Sequence, residues 1–410
     1  MSDNVTTLPI GNIKYVEKLF PRMEHDEAAI ERYRIAIEKL PPIVVARGGI
    51  LVDGYHRWKA HQREDMAMIR AVDLGDISDD EILREAVRRN ATHGVQLSKA
   101  DKAKLARRMW SPTTPISEIA EVLSASERTV EQWTKEARDA AKAELQASAW
   151  DLWLDCRSNV EIAKIVLANE ARESTVRGWI REKREASDFA IPPDSRQHFD
   201  VWKLDGDDDS AYFGRLPAGL VENLLWLYTE PFATVVDLFA GRGTTIKVAK
   251  KMGRRVWASD RQGNRWDETL PIHEHDATAG WPDGAPSKAD LVLLDPPYWR
   301  QAKGRYSDDP DDLGNKNLDE FYSDWASVAK ACMKHAACIA YIISPTQNDD
   351  GTVTDHATDM LEPFRNNGWR VERRIIVPYS TQQATGQQVT WARENRRLLK
   401  LYRDLVVLTP

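Results

Sequence analysis

Residues Asp295-Pro296-Pro297-Tyr298 directly follow the apolar run Leu291-Val292-Leu293-Leu294, and their types suit one kind of chemistry. Each proline fixes φ and lacks an N–H, so a buried strand that stops at a carboxylate and two prolines turns a stiff corner. Such a corner can hold a planar amino group. The Asp295 carboxylate and the Pro296 carbonyl accept its two N–H bonds, and the Tyr298 ring stacks on the heterocycle that carries it. Taken alone, the same four residues also suit a plain turn.

A second group lies upstream. Val235-Val236-Asp237-Leu238-Phe239-Ala240-Gly241-Arg242-Gly243-Thr244-Thr245 reads as a strand that runs into a glycine turn and then a helical stretch over 246–250. Glycine serves where backbone turns tightly against a ligand, and a helix N-terminus offers free N–H groups. The third glycine of a dinucleotide site and the Gly-Lys-Ser/Thr ending of a P-loop are both absent. A further strand, Arg255-Val256-Trp257-Ala258-Ser259, stops at Asp260, and His273-Glu274-His275-Asp276 ends in another carboxylate.

In this order the motifs resemble the amino-group methyltransferases of nucleic acids, whose Asp-Pro-Pro-Tyr corner and glycine loop stand in this relation. The resemblance implies S-adenosyl-L-methionine as cofactor, held by Asp237, Phe239, Gly241, Gly243 and Thr244, with Asp237 and Gly241 near the methionine end. It implies that Asp260 holds the ribose hydroxyls and Asp276 the adenine amino group. It assigns Asp295, Pro296, Pro297 and Tyr298 to catalysis. Arg300, Lys303 and Arg305, in the basic and aromatic stretch after the corner, suit phosphate contacts at the mouth of the site.

The elements that must position these groups read as alternating strands and helices. A helix over 318–335, a strand over 337–343, a helix over 355–366 and a terminal pair over 369–377 and 398–408 give a doubly wound sheet closed by a hairpin. The expected fold is an α/β class I (Rossmann-like) methyltransferase domain, preceded by an α+β domain and an all-α region.

With 410 residues, 42% of them hydrophobic and 30% charged, the chain suits two or three globular domains. No apolar run approaches the roughly 20 residues of a membrane span, and the first residues do not read as a signal peptide. The three cysteines, Cys156, Cys332 and Cys338, suit a reducing cytoplasm, and core packing accounts for them better than a metal site does. The net charge of −7 does not mark a nucleic-acid binder, so local clusters must carry that role. Candidates are Arg107-Arg108, residues 181–184, and residues 247–251 with Arg254-Arg255.

Between residues 93 and 188 the chain repeats itself. The pattern Ile116-Ser117-Glu118-Ile119-Ala120 with Thr129-Val130-Glu131-Gln132-Trp133 returns as Val160-Glu161-Ile162-Ala163 with Thr175-Val176-Arg177-Gly178-Trp179. Each copy resembles a helix-turn-helix unit, and Arg177 and Arg181 of the second are the expected DNA contacts. Near the N-terminus, two strands around Pro42-Ile43-Val44-Val45 and Ile50-Leu51-Val52-Asp53 lead into Gly54-Tyr55-His56-Arg57, which opens a helix. Gly54, His56 and Arg57 form a candidate anion site. This region, with Arg22 in the early loop, a helix over 26–40, Asn90 and Leu97-Ser98, resembles the ParB-like domain of partition proteins and sulfiredoxins. Tyr55 stands where a sulfiredoxin needs cysteine, and the Gly-Glu-Arg-Arg of partition proteins is missing.

The expected organisation is a ParB-like domain over 1–92, helix-turn-helix units over 93–188, a linker over 189–200 around Ile191-Pro192-Pro193, and the methyltransferase domain over 201–410. Phe213-Gly214-Arg215-Leu216-Pro217-Ala218-Gly219-Leu220 suits a cofactor-covering helix. The resulting expectation is a DNA methyltransferase acting on adenine N6, with double-stranded DNA as partner and a homodimer as a candidate assembly. Cytosine N4 has the same electronics, and Asp rather than Ser at the first position of the corner favours adenine. An RNA guanine-amino methyltransferase is disfavoured by the helix-turn-helix units. A ParB-like DNA-binding regulator with a vestigial methyltransferase domain is disfavoured by the intact glycines and corner.

Overall fold

In the computed structural model, which describes residues 5–21, 26–92, 97–189, 196–204, 216–300, 309–348, 352–379 and 385–410, the chain divides into two units, Met1–Glu144 and Leu145–Pro410. The helical region over 93–188 therefore contributes to both. Arg22, the linker prolines, residues 213–215, Lys303 and Arg305 lie outside the described residues.

The first unit begins with β1 (Val5–Pro9), α1 (Glu27–Ile35), β2 (Ile43–Ala46), β3 (Ile50–Asp53), α2 (Tyr55–Arg63), β4 (Met68–Asp73) and α3 (Asp79–Thr92). Its sheet has the order β1-β4-β2-β3, with β2 and β4 parallel and the other pairs antiparallel. The expected helix over 26–40 is α1, capped by the Asp26 carboxylate on the Ala29 N–H and shorter than anticipated. Gly54 opens α2 at φ +100°, and a Cβ there would come within 2.8 Å of Ile43 Cγ2. Only glycine fits that turn.

Three more helices follow: α4 (Lys99–Met109), α5 (Ile116–Val122) and α6 (Glu127–Leu154). A Ser98–Asp101 capping box starts α4. Leu105, Ile119, Leu123 and Val130 bury the apolar stripes of α4, α5 and α6 together. Helix α6 runs unbroken from the first unit into the second.

The second unit continues with α7 (Asn159–Leu167), α8 (Glu173–Ala186), α9 (Ala218–Tyr228), β5 (Thr234–Asp237), α10 (Thr244–Lys251), β6 (Arg255–Asp260), β7 (Ile272–Glu274), β8 (Leu291–Leu294), α11 (Leu318–Met333) and β9 (Ile339–Ile343). Beyond these lie β10 (Thr346–Gln347), β11 (Val353–Thr354), α12 (His356–Asp359), α13 (Glu362–Arg365), β12 (Arg370–Pro378), α14 (Gly386–Glu394) and β13 (Tyr402–Thr409). The main sheet is mostly parallel, seven-stranded and ordered β12-β13-β9-β8-β5-β6-β7, and β13 enters antiparallel between β9 and β12. Val235, Leu291 and Leu293 face one core, while Val236, Val292 and Leu294 face the other. Burial on both faces explains the unbroken apolar runs. The single helix expected over 355–366 is instead two short ones, because Pro363, at the start of α13, cannot donate an N–H to a preceding turn.

The end of α6 and helix α8 pack on the amino ends of this sheet. Trp153 carries the guanidinium of Arg255 at 4.9 Å and that of Arg184 at 5.6 Å, and it stacks on Trp150 at 5.1 Å. Phe232, just before β5, meets Trp150, Trp153 and Phe189 edge-on or tilted. Lys250 reaches Asp155 at 2.7 Å and Asp151 at 3.0 Å. The basic run over 247–255 is thus largely engaged within the protein, with Lys247 on Asp267, Lys251 on Glu222, and Arg254 buried against the Thr229 and Met252 carbonyls.

Cys332 and Cys338 are buried and Cys156 is partly so, and burial pushes the Cys332 and Cys338 thiols up to about 12. No group of three or more His, Cys, Asp or Glu is placed to hold a metal among the described residues. Nor is any helix among them long and apolar enough to cross a membrane.

Candidate active site at the strand ends

Strands β5, β6, β7 and β8 all point their carboxyl ends at one cavity of about 400 Å³, which lies where the strand order reverses between β5 and β8. Open α/β sheets bind ligands at this position. Leu238, Phe239, Gly241 and Arg242 line the cavity after β5, Asp260, Arg261, Gln262 and Trp266 after β6, His275 and Asp276 after β7, and Asp295 and Pro297 after β8. The sheet therefore brings together groups that are far apart in sequence.

Asp237 is buried at the end of β5, and its Oδ1 accepts the Phe239 N–H at 2.9 Å. Burial raises its carboxyl to about 6, against the Thr245 hydroxyl and the Phe239 N–H, while the charge of Asp260 adds to the rise. Gly241 and Gly243 both take positive φ, +50° and +73°, and Gly243 is the residue before α10. Thr244 is buried in the first turn of that helix. Asp260 accepts the Gly241 N–H at 2.9 Å and the Gln262 N–H at 3.0 Å. One carboxylate thus ties the end of β6 to the glycine turn.

Asp276 accepts both the N–H and the hydroxyl of Thr278, at 2.9 and 2.7 Å, and lies 3.4 Å from the Arg261 Nε. Burial works against its ionisation, but those donors and Arg261 together hold its carboxyl below the ordinary range. Asp311 and Asp312 add two more carboxylates to the wall. The cavity is on balance acidic, which suits a cationic ligand.

At the corner, Pro296 is buried and Pro297 partly exposed. The Asp295 Oδ1 is closed off from solvent and takes no hydrogen bond. Burial raises the Asp295 carboxyl to about 7, the charge of Arg403 opposes the rise, Asp237 adds to it, and a hydrogen bond from the Tyr298 hydroxyl lowers it. Asp295 thus contributes to the cavity wall while one of its oxygens is an enclosed acceptor left without a donor, and a buried acceptor of this kind calls for a partner. Tyr298, expected from the sequence to stack on a base, is turned partly inward. It packs against both cores, its hydroxyl reaches toward Asp295, Arg403 and Tyr379, and it is not among the residues lining the cavity.

Of the remaining candidates, Arg300 follows the corner with φ +57° and lies over the Trp299 ring at 4.5 Å. Arg177 and Arg181 are exposed on α8, and Arg177 stands 3.6 Å from Glu173. Gly54, His56 and Arg57 do come together, but Arg57 donates to Asp53 at 2.7 Å and to the carbonyls of Pro41 and Pro42. His56 accepts the Asp26 N–H at 3.1 Å. These contacts fasten the start of α2 to its neighbours.

Sequence reasoning passed over Arg261, Trp266 and Arg403. Arg261 spans Asp276 and Asp309, and Trp266, 43% exposed at the cavity wall, has the guanidiniums of Arg242 and Arg265 at 4.5 and 5.2 Å. The signal for Arg261 was its place directly after a strand-end carboxylate. Trp266 sits in an irregular loop without periodicity, and Arg403 is brought in by the last strand alone.

Residues 111–265 match the family model described as DNA methylase. The matched stretch holds the glycine turn and Asp260 and ends before the corner at Asp295. No curated protein matches the chain. Among solved structures, TrmN from Thermus thermophilus is similar at 16% identity and a TM-score of 0.30, over 48% of this chain and 50% of that one. The chain thus spans half the length of that protein. A SAM-dependent methyltransferase from Archaeoglobus fulgidus is similar at 12% identity and a TM-score of 0.30, over 47% of this chain and 95% of that one. The partitioning protein ParB from Caulobacter crescentus, complexed to the centromeric parS site, is similar at 16% identity and a TM-score of 0.26, over 44% of this chain and 100% of that one.

Proposed function

We propose that the chain is an S-adenosyl-L-methionine-dependent DNA methyltransferase acting on the exocyclic amino group of adenine. The observation that carries this reading is Asp295 at the carboxyl end of β8, which lines the cavity together with the glycine turn and Asp260 and whose Oδ1 is an enclosed acceptor without a donor. The match of residues 111–265 to the DNA methylase model supports DNA as the substrate. The choice of adenine rests on Asp at the first position of the corner.

The residues present fit the cofactor. The acidic wall suits its cationic sulfonium, the turn at Gly241 and Gly243 leaves room for close backbone approach, and Asp260 and Asp276 retain oxygen lone pairs for its hydroxyl and amino groups. When bound, the cofactor supplies a methyl group on a positively charged sulfur, which keeps the bonding electrons. The Asp295 Oδ1 and the Pro296 carbonyl accept the two N–H bonds of the extruded base and favour a pyramidal nitrogen with its lone pair available. As the nitrogen takes the methyl carbon it becomes cationic and releases one proton. Asp295, with its carboxyl raised to about 7, is matched to receive that proton near neutrality.

The test is to express the chain in cells lacking other DNA methylation and to read modified bases in their DNA. N6-methyladenine at a defined site is the expected product, and its loss in Asp295→Ala with cofactor binding retained within a few-fold ties the reaction to the corner. N4-methylcytosine would overturn the choice of base, and no modified base would overturn the reading.

A further inference from the structure

Arg403 stands in β13 opposite Val377 of β12 and is only 8% exposed. Its Nε is enclosed and makes no hydrogen bond. Burying a guanidinium is unfavourable unless its surroundings compensate. Here the compensation comes from the corner and its neighbours: the Tyr379 ring at 5.0 Å from the guanidinium carbon, a hydrogen bond with the Tyr298 hydroxyl, and the charge of the Asp295 carboxylate. The next residue, Asp404, is also buried, and it pairs with Arg374 at 2.9 Å. Among the described residues Arg403 has no ion pair of this kind, and its guanidinium shares a hydrogen bond with Tyr298 of the corner.

We propose that Arg403 is the positioning residue of the site, fixing the Tyr298 hydroxyl and keeping the Asp295 carboxylate in the form that accepts an amino group. The proposal rests on the methyl-transfer reading given above. Among the described residues, the groups that face Asp295 are Arg403 from β13, Asp237 from the end of β5, Tyr298 from its own corner and Tyr379 from beyond β12. Only Arg403 among them carries positive charge. Burial and Asp237 favour the protonated acid, which would turn Asp295 from an acceptor into a donor facing an amino group that also donates. A buried cation opposes that change. Its planar fork can serve a phenol and a carboxylate together, which a lysine ammonium cannot do with fixed geometry.

The experiment uses the full chain. Single-turnover transfer of labelled methyl from S-adenosylmethionine to genomic DNA is followed from pH 6 to pH 9 for the wild type, Arg403→Met and Arg403→Lys, with cofactor affinity measured by calorimetry. In parallel, ¹³C-carboxylate NMR follows the titration of Asp295, its signal assigned by its loss in Asp295→Asn. For Arg403→Met the acid limb of the rate and the Asp295 titration should both move upward by about 1–3 pH units, with cofactor affinity within a few-fold of wild type. Arg403→Lys should keep the limb near its wild-type position while transferring more slowly. An Arg403→Met rate reduced by one factor at every pH, or an unmoved Asp295 titration, would overturn the proposal. Should Arg403→Met fail to fold, Arg403→Gln carries the same two readouts. A wild type that transfers nothing to DNA while Asp295 still shifts in the variants would sink the substrate reading and leave the control of Asp295 by Arg403 standing.

Discussion

The Asp260 carboxylate accepts the Gly241 N–H at 2.9 Å, so the strand-end acid expected to hold a ribose also braces the glycine turn before any ligand arrives. A single substitution there acts twice. Asp260→Ala should weaken S-adenosylmethionine binding by roughly ten- to hundredfold, the equivalent of about 1.5–3 kcal/mol for a hydrogen bond to a charged group. It should also loosen the turn. Asp260→Asn keeps one acceptor oxygen and should recover part of the affinity. Calorimetry on both variants checks this, and an unchanged dissociation constant in Asp260→Ala would remove Asp260 from the cofactor site.

The parts of the site that were legible in the sequence are those made by residues with few alternatives. Gly241 and Gly243 stand out because the turn needs positive φ, and Asp237, Asp260 and Asp295 because each ends an apolar run. Arg403 was not legible, since its place at the same end of the sheet as Asp295 follows from β13 inserting between β9 and β12, a pairing that no local pattern encodes. Edge strand β1 escaped for the opposite reason: its residues are mostly exposed and show no alternation. Tyr298 was recognised by type, but the direction of its ring depends on the buried neighbours that draw its hydroxyl inward.

That direction changes the expectation for Tyr298. A ring that only stacked on a base would tolerate Tyr298→Phe. Because the hydroxyl helps hold the Asp295 carboxyl down, Tyr298→Phe should displace the acid limb of the rate upward and approach wild-type activity at high pH. Tyr298→Ala should add a loss of roughly 1–3 kcal/mol, present at every pH, if the ring also supports the base. Pre-steady-state rates across pH separate the two. Identical profiles for wild type and Tyr298→Phe would mean that the hydroxyl has no hold on Asp295.

Asp237 and Asp295 should make stability depend on pH in the direction opposite to surface carboxylates. Their folded values, about 6 and about 7, lie above the roughly 3.9 of an unfolded aspartate, so the folded state binds these protons more tightly. The stabilisation is complete below the unfolded value and is lost as pH rises through 6 and then 7. In thermal melts without cofactor, the wild type should lose ground against Asp295→Asn between pH 5 and pH 8. A difference between the two proteins that stays constant over that range would show that Asp295 titrates normally.

The last prediction concerns where the catalytic part begins. Trp150 and Trp153, the ion pairs from Lys250 to Asp151 and Asp155, and Phe189 against Gly253 and Phe232 join the end of α6 and the segment after α8 to the sheet. A fragment starting near residue 200 would strip these groups from Phe232 and Arg255, so it should be unstable. One spanning residues 145–410 should fold and bind cofactor. The end of α6, with Arg184 of α8 beside it, packs at the amino end of β6, whereas Asp260 ends the same strand in the cavity; six residues of strand separate these ends by roughly 17 Å. Phosphate contacts from α8 would therefore fall on DNA away from the base being modified. Replacing Arg177 and Arg181 by Ala should weaken DNA binding in a salt-dependent way, while the transfer rate at saturating DNA and the cofactor affinity stay as in wild type. A fall in the saturated rate would place α8 nearer the reacting base than the sheet allows, and unaltered DNA binding would assign recognition to the groups around Trp266 and Arg300.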